Sequence, residues 1–129
     1  MTEGLKDFQE FREKMNERIL ASGNMEIKRF FALDKNTYKQ GSLATETKEL
    51  LGLVASLVLR CNDCVTYHLL RCVELGIDNE ELFESFNVAL VVGGSIVIPH
   101  LRKAVHILDE IRSSRKHEKN DKPVSGAKS

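Results

Sequence analysis

Two thiols and an imidazole fall at helical spacing in the stretch from Cys61 to His68, Cys-Asn-Asp-Cys-Val-Thr-Tyr-His. At about 100° per residue, Cys61, Cys64, His68 and the third cysteine, Cys72, share one helix face within roughly 80°. His68 lies one turn beyond Cys64, about 6 Å of rise, but seven residues beyond Cys61, about 10 Å. The imidazole is therefore expected to serve Cys64 first. A thiolate is the nucleophile, and its pKa falls beside a histidine or a helix N-terminus. The chemistry these residue types offer is dithiol–disulfide exchange and attack on an electrophile by Cys64.

A helix must position them. Asn62 is a favoured N-cap, which places Cys64 at the second helical position, where the dipole stabilises an anion by about 0.3–1 kcal/mol when exposed. Asp63 acts in the opposite sense, because an adjacent carboxylate disfavours a thiolate.

The sequence resembles the alkylhydroperoxidase D / carboxymuconolactone decarboxylase family of small all-helical proteins, over roughly residues 40–112. The redox-active branch carries a glutamate, about a dozen residues, Cys-x-x-Cys, three residues and a histidine. This chain reads Glu49, eleven residues, Cys61-Asn-Asp-Cys64, three residues, His68. Lys-Glu-Leu-Leu-Gly-Leu-Val-Ala at 48–55 and Leu-Gly-Ile-Asp-Asn-Glu-Glu-Leu at 75–82 also look like the family. One position departs: the alkylhydroperoxidase proper often has a histidine directly before the second cysteine, where this chain has Asp63. The decarboxylase proper generally lacks the cysteine pair. The resemblance implies a redox-active dithiol, a proton-relay role for Glu49, and homo-oligomers, trimers or hexamers.

Competing readings of the same residues are specific. Two cysteines can be small buried hydrophobes. Cys61, Cys64 and His68 could ligate zinc, but a structural site needs a fourth ligand, and His100 or His106 would have to come from another helix. Haem c attachment needs histidine directly after the second cysteine, and Val65 stands there. Without the resemblance, Glu49 reads equally well as a surface glutamate complementing a helix dipole. Cys72 reads as packing. His100, His106 and His117 carry no pattern, and Gly93-Gly94 reads as a helix break.

Around this stretch the apolar periodicity predicts about six helices. The first covers 4–22, closed by Gly23; the second runs from an Asn24 N-cap to about Tyr38, with Phe30, Phe31 and Leu33 as its apolar content. The third spans about Thr45 to Arg60 with the strongest apolar face, Leu50 to Val58. The fourth, from about Asn62 to Leu75, ends at a Gly76 C-cap. Asp78 and Glu81 open a fifth over 79–92 with the logic of a capping box. The last runs from about Ser95 to Ser114, with Pro99 tolerable in its opening turn. The fold expected is a compact all-α bundle, one domain over 1–114. Residues 115–129 form a charged tail with almost no apolar side chain to bury, expected to be disordered. The faces Leu50 to Val58 and Leu82 to Ile98 are more apolar than a small bundle needs, which favours burial against other subunits.

Composition narrows the class. The 129 residues are 42% apolar and 29% charged, with zero formal net charge. No basic stripe marks a nucleic-acid footprint. The longest apolar run, Val88 to Val92, is far short of the ~20 residues that span a bilayer, and the acidic, amphipathic N-terminus is unlike a secretory signal. A cytoplasmic protein is expected. Three cysteines, two of them in a C-x-x-C, are unlike a secreted disulfide framework. The expected function is a thiol-dependent peroxidase or disulfide oxidoreductase, with Cys64, Cys61, His68 and Glu49 as catalytic residues. Its partners are a hydroperoxide and a thiol reductant, and it requires no bound organic cofactor and no metal. The alternatives are a lactone decarboxylase using His68 and Glu49, and a non-enzymatic oligomeric redox sensor.

Overall fold

The computed structural model describes residues 3–121. Six helices, α1 (Glu3–Ala21), α2 (Met25–Thr37), α3 (Thr45–Leu59), α4 (Asn62–Glu74), α5 (Asn79–Gly93) and α6 (Ile98–Asp121), follow one another, with a 3₁₀ turn at Ser95–Val97. No strand occurs among the described residues, and no helix there is long and apolar enough to cross a membrane.

Local chemistry sets most helix ends. Asn24 Oδ1 accepts the Ile27 amide at 3.0 Å and starts α2. Asp78 and Glu81 form both halves of a capping box on α5, at 2.8 and 3.1 Å. At the end of α4, Gly76 takes φ +84°, and the amides of Gly76 and Ile77 return to the carbonyls of Val73 and Cys72. That is a Schellman turn, which requires a left-handed residue where only glycine is unstrained. Ile77 then tucks into the core.

The core lies among α3, α4, α5 and α6. Leu53 and Leu57 meet Val65, Leu69, Cys72 and Val73, and Leu82, Phe86, Ala89, Ala104 and Leu108 close around them. Each fully buried large side chain contributes about 1.5–3 kcal/mol. Leu5 is the one core residue drawn from α1 among those described.

Two expectations about the last helix change, and α2 proves to lack a core face. Helix α2 has no buried residue, and Phe30 and Leu33 are 65% and 60% exposed; its apolar residues do not line up on a face that this chain covers. The last helix opens as a 3₁₀ turn and continues to Asp121 rather than ending at Ser114, because residues 115–121 contain no glycine or proline to stop it. The rest of the expected tail, 122–129, lies outside the described residues.

Candidate active site

The corner between α3 and α4 sets the first cysteine. Arg60 occupies a left-handed conformation at φ +63°, and the amides of Arg60 and Cys61 return to the carbonyls of Leu57 and Ser56. Cys61 therefore ends one helix and starts the next. Its backbone is extended, its Sγ accepts the Cys64 amide at 3.3 Å, and its carbonyl accepts the Val65 amide. The expected cap, Asn62, is displaced one residue into the helix, because the turn closing α3 reaches as far as Cys61. Cys64 moves accordingly to the third helical position.

Cys61 and Cys64 are joined by a disulfide with their Cα atoms 5.3 Å apart. Cys64 is exposed and Cys61 is half-buried. Freed from capping, Asn62 Oδ1 meets His100 Nδ1 of α6 at 2.9 Å, tying the cysteine-bearing turn to the last helix.

One turn beyond Cys64, His68 belongs to a charge cluster with Glu49 and Arg71. Glu49, in the second turn of α3, is 1% exposed, so the reading of it as a surface glutamate is wrong. An ion at such depth must be paired. Its Oε1 lies 2.8 Å from His68 Nδ1, and its Oε2 lies 3.6 Å from Arg71 Nε. A carboxylate only accepts, so Nδ1 of His68 carries the proton and Nε2 is left for other chemistry.

The ring of His68 does not bond either sulfur. Its Cε1 and Nε2 face the Cα of Gly52, where a side-chain carbon would stand 2.7 and 2.8 Å away. The same carbon would lie 2.8 Å from the Tyr38 hydroxyl. Gly52 thus lets an imidazole and a phenol converge on one turn of α3. Nε2 has no hydrogen-bond partner among the described residues, yet no fully buried side-chain nitrogen or oxygen there lacks one, so this atom keeps a small contact with solvent. Lys48 Nζ donates to the carbonyls of Thr37 and Lys39 at 2.8 and 2.7 Å, gripping the residues on either side of Tyr38.

Electrostatics follow from burial and neighbours. Burial, and then the charge of Glu49, raises the Tyr38 pKa above the ordinary phenol value, so it remains a donor. The hydrogen bond that Arg71 donates to Glu74 leads in raising the guanidinium pKa. Burial pushes the Cys72 thiol up to about 12, which fits packing and not redox work.

The carboxymuconolactone decarboxylase family model matches residues 27–107, nearly the whole of α2 to α5 and the first part of α6. The chain belongs to the carboxymuconolactone decarboxylase family. Two crystal structures of one Thermotoga maritima protein superpose with TM-scores of 0.84 and 0.83 at 56% and 54% identity. They cover 87% of this chain and 98% and 95% of their own. That protein is described as a member of the same family with a suggested part in the antioxidative response. A Legionella pneumophila member, 21% identical, shares the fold at a TM-score of 0.78 over 85% of this chain and 98% of its own. An uncharacterized protein of the Paracoccus denitrificans cox locus is 32% identical over 82 residues, 64% of this chain and 74% of that protein.

In this carboxymuconolactone decarboxylase family member, three of the four residues singled out from sequence, Cys61, Cys64 and His68, lie at the start of α4, and Glu49, near the start of α3, joins them through His68. The structure adds Arg71, Tyr38 and Gly52. Arg71 follows His68 by three residues and so lies on its face, while a glycine inside the apolar run of α3 signals close approach of another group. Nothing local marks Tyr38. His100 joins through Asn62, whereas His106 pairs with Glu110 at the surface and His117 is exposed. Among the described residues, no group of three or more His, Cys, Asp or Glu side chains is arranged to hold a metal ion.

Proposed function

We propose that the chain is a thiol-dependent hydroperoxide reductase. The observation that carries this reading is the Cys61–Cys64 disulfide at a helix N-terminus, one turn from a histidine whose other nitrogen is held by a buried carboxylate. The description of the Thermotoga relative favours the same chemistry.

In the reduced protein, Cys64, the more exposed cysteine, loses its proton to His68 Nε2, directly or through water, and Glu49 stabilises the resulting imidazolium through Nδ1. The thiolate attacks the terminal peroxide oxygen. The S–O bond forms, the O–O bond breaks, and the alkoxide takes a proton and leaves as the alcohol. Cys64 is now a sulfenic acid. Cys61 attacks its sulfur, the S–S bond forms as the S–O bond breaks, and the Cys61 proton, relayed through Glu49 and His68, leaves with the hydroxide as water. Two electrons have passed from the thiols to the peroxide. A dithiol reductant reopens the bond by exchange. The cycle suits a reducing compartment, the cytoplasm.

The chain works as a homo-oligomer. Val91, Leu59, Val92 and Ile96 are 86%, 76%, 67% and 57% exposed on α5, α3 and the 3₁₀ turn, an apolar surface one subunit leaves uncovered.

The test is a thiol count with turnover. One equivalent of cumene hydroperoxide should remove two thiols per chain, dithiothreitol should restore them, and excess dithiothreitol should sustain peroxide consumption. An unchanged count sinks the reading; a single oxidation without turnover favours a sensor.

A further inference from the structure

Beside the Glu49–His68 pair, a cleft of about 850 Å³ opens between α1, α2, α3 and α4. Its charges are lopsided in a chain whose formal net charge is zero. Arg12, Lys28, Lys35, Lys39 and Arg71 line it against Asp34 and Glu49, and Glu49 is already paired with His68 and Arg71. None of the three lysines is ion-paired among the described residues, and all three are exposed. Arg12 lies over the Tyr67 ring at 4.1 Å.

The cleft continues. A second hollow of about 350 Å³ shares Arg12, Asn16, Leu20, Tyr67 and Arg71 with it and adds Phe8 and Leu70, together with Glu13, Glu17 and Glu74, along the α1–α4 seam. One end of the trough is therefore cationic, and the other sets the apolar Phe8, Leu20 and Leu70 among carboxylates that would repel a second anionic group. On α4, Cys64, Tyr67 and Arg71 stand at i, i+3 and i+7, on one stripe. A ligand lying along Tyr67 is one helical turn from the reactive disulfide.

We propose that this trough binds long-chain monocarboxylates, with the carboxylate among Lys28, Lys35 and Lys39 and the chain over Leu20, Phe8 and Leu70. Building on the peroxidase reading, the preferred substrate is a hydroperoxide whose carbon chain bears a carboxylate. The O–O bond of such a molecule is reduced to an alcohol and water by the two thiols, as above, while the carboxylate is unchanged.

Two measurements test it separately. Calorimetry with dodecanoate and dodecanol on the oxidised protein reads binding without any redox step. Dodecanoate should bind, its affinity should fall with salt, and Lys28→Glu with Lys35→Glu should weaken it at least about tenfold, since two attractions become repulsions. Equal binding of dodecanol, or no effect of the double substitution, overturns the proposal. Kinetics with the reduced protein then compare linoleic acid hydroperoxide with cumene hydroperoxide. The ratio of their kcat/KM values should fall about tenfold in the double variant, a change of about 1.4 kcal/mol in relative transition-state binding. If both peroxides are reduced and the ratio does not move, the trough proposal fails and the peroxidase stands. If neither is reduced, the peroxidase reading and the substrate assignment fail, and the calorimetry alone decides whether the trough takes carboxylates.

Discussion

Gly52→Ala is a sharp test of how the site is packed. In an exposed helix interior this change gains about 1 kcal/mol from helix propensity. Here the added carbon would stand 2.7 Å from His68 Cε1 and 2.8 Å from both His68 Nε2 and the Tyr38 hydroxyl. Ordinary carbon contacts lie at about 3.5–4.0 Å, so the two rings must retreat by roughly 0.7–1.3 Å. His68 has little room, because its Nδ1 is held at 2.8 Å from Glu49, itself 1% exposed. Overpacking costs about 1–3 kcal/mol, and loosening a hydrogen bond to a charged group adds about 1.5–3 kcal/mol at most. Subtracting the propensity gain leaves a destabilisation of up to about 5 kcal/mol. Urea unfolding of oxidised protein, at one fixed chain concentration in case assembly contributes, would read it. Gly4→Ala is the control, since no atom lies within 4 Å of its added carbon. The rate of peroxide-driven thiol loss should fall with the stability, because His68 is displaced. A Gly52→Ala protein more stable than the parent by about 1 kcal/mol, with an unchanged rate, would refute the packing and the role given to the imidazole.

The remaining expectations concern the thiols, the corner and the surface. Cys61→Ser should trap a dimedone-reactive sulfenic acid on Cys64, whereas Cys64→Ser should scarcely react with peroxide; a label on Cys61 at the parental rate would reverse the roles. Cys72 should resist thiol reagents at pH 8 until the chain unfolds. Because its thiol is pushed up to about 12 in the fold from about 8.5 in unfolded chains, its contribution is complete below the lower value. It is lost as pH rises through that window, at up to about 1.4 kcal/mol per pH unit, and Cys72→Ala should flatten the alkaline limb. Arg60→Gly should stabilise the protein by up to about 1 kcal/mol in thermal melts, since only glycine takes φ +63° without the left-handed penalty; a lower melting temperature would count against the strain. Light scattering should return a multiple of the 14.6 kDa chain mass, and Val91→Asp should reduce it; a monomer at micromolar concentration removes the oligomer.

Reading the fold from sequence succeeded where the cause is local. Apolar spacing at 3.6 residues per turn marks six helices, and Asn24, the Asp78–Glu81 pair and Gly76 cap them through groups within a few residues. The dithiol and its histidine were legible for the same reason: the start and first two turns of one helix carry them. What lay beyond reach depends on partners far along the chain. Asn62 looks like a cap by type, but the turn that ends α3 extends to Cys61 and hands the capping role to a sulfur. Glu49 looks like a surface glutamate until α4 folds over it, and only then must it find His68, 19 residues on. Spacing puts His68 one turn from Cys64; the need of a buried carboxylate for a donor decides which way its ring points. Tyr38 and Gly52 meet through packing between α2 and α3, which no local pattern encodes. Sequence alone thus determined which groups can do chemistry, and tertiary structure decided which are buried, because desolvation acts only once distant segments exclude water together.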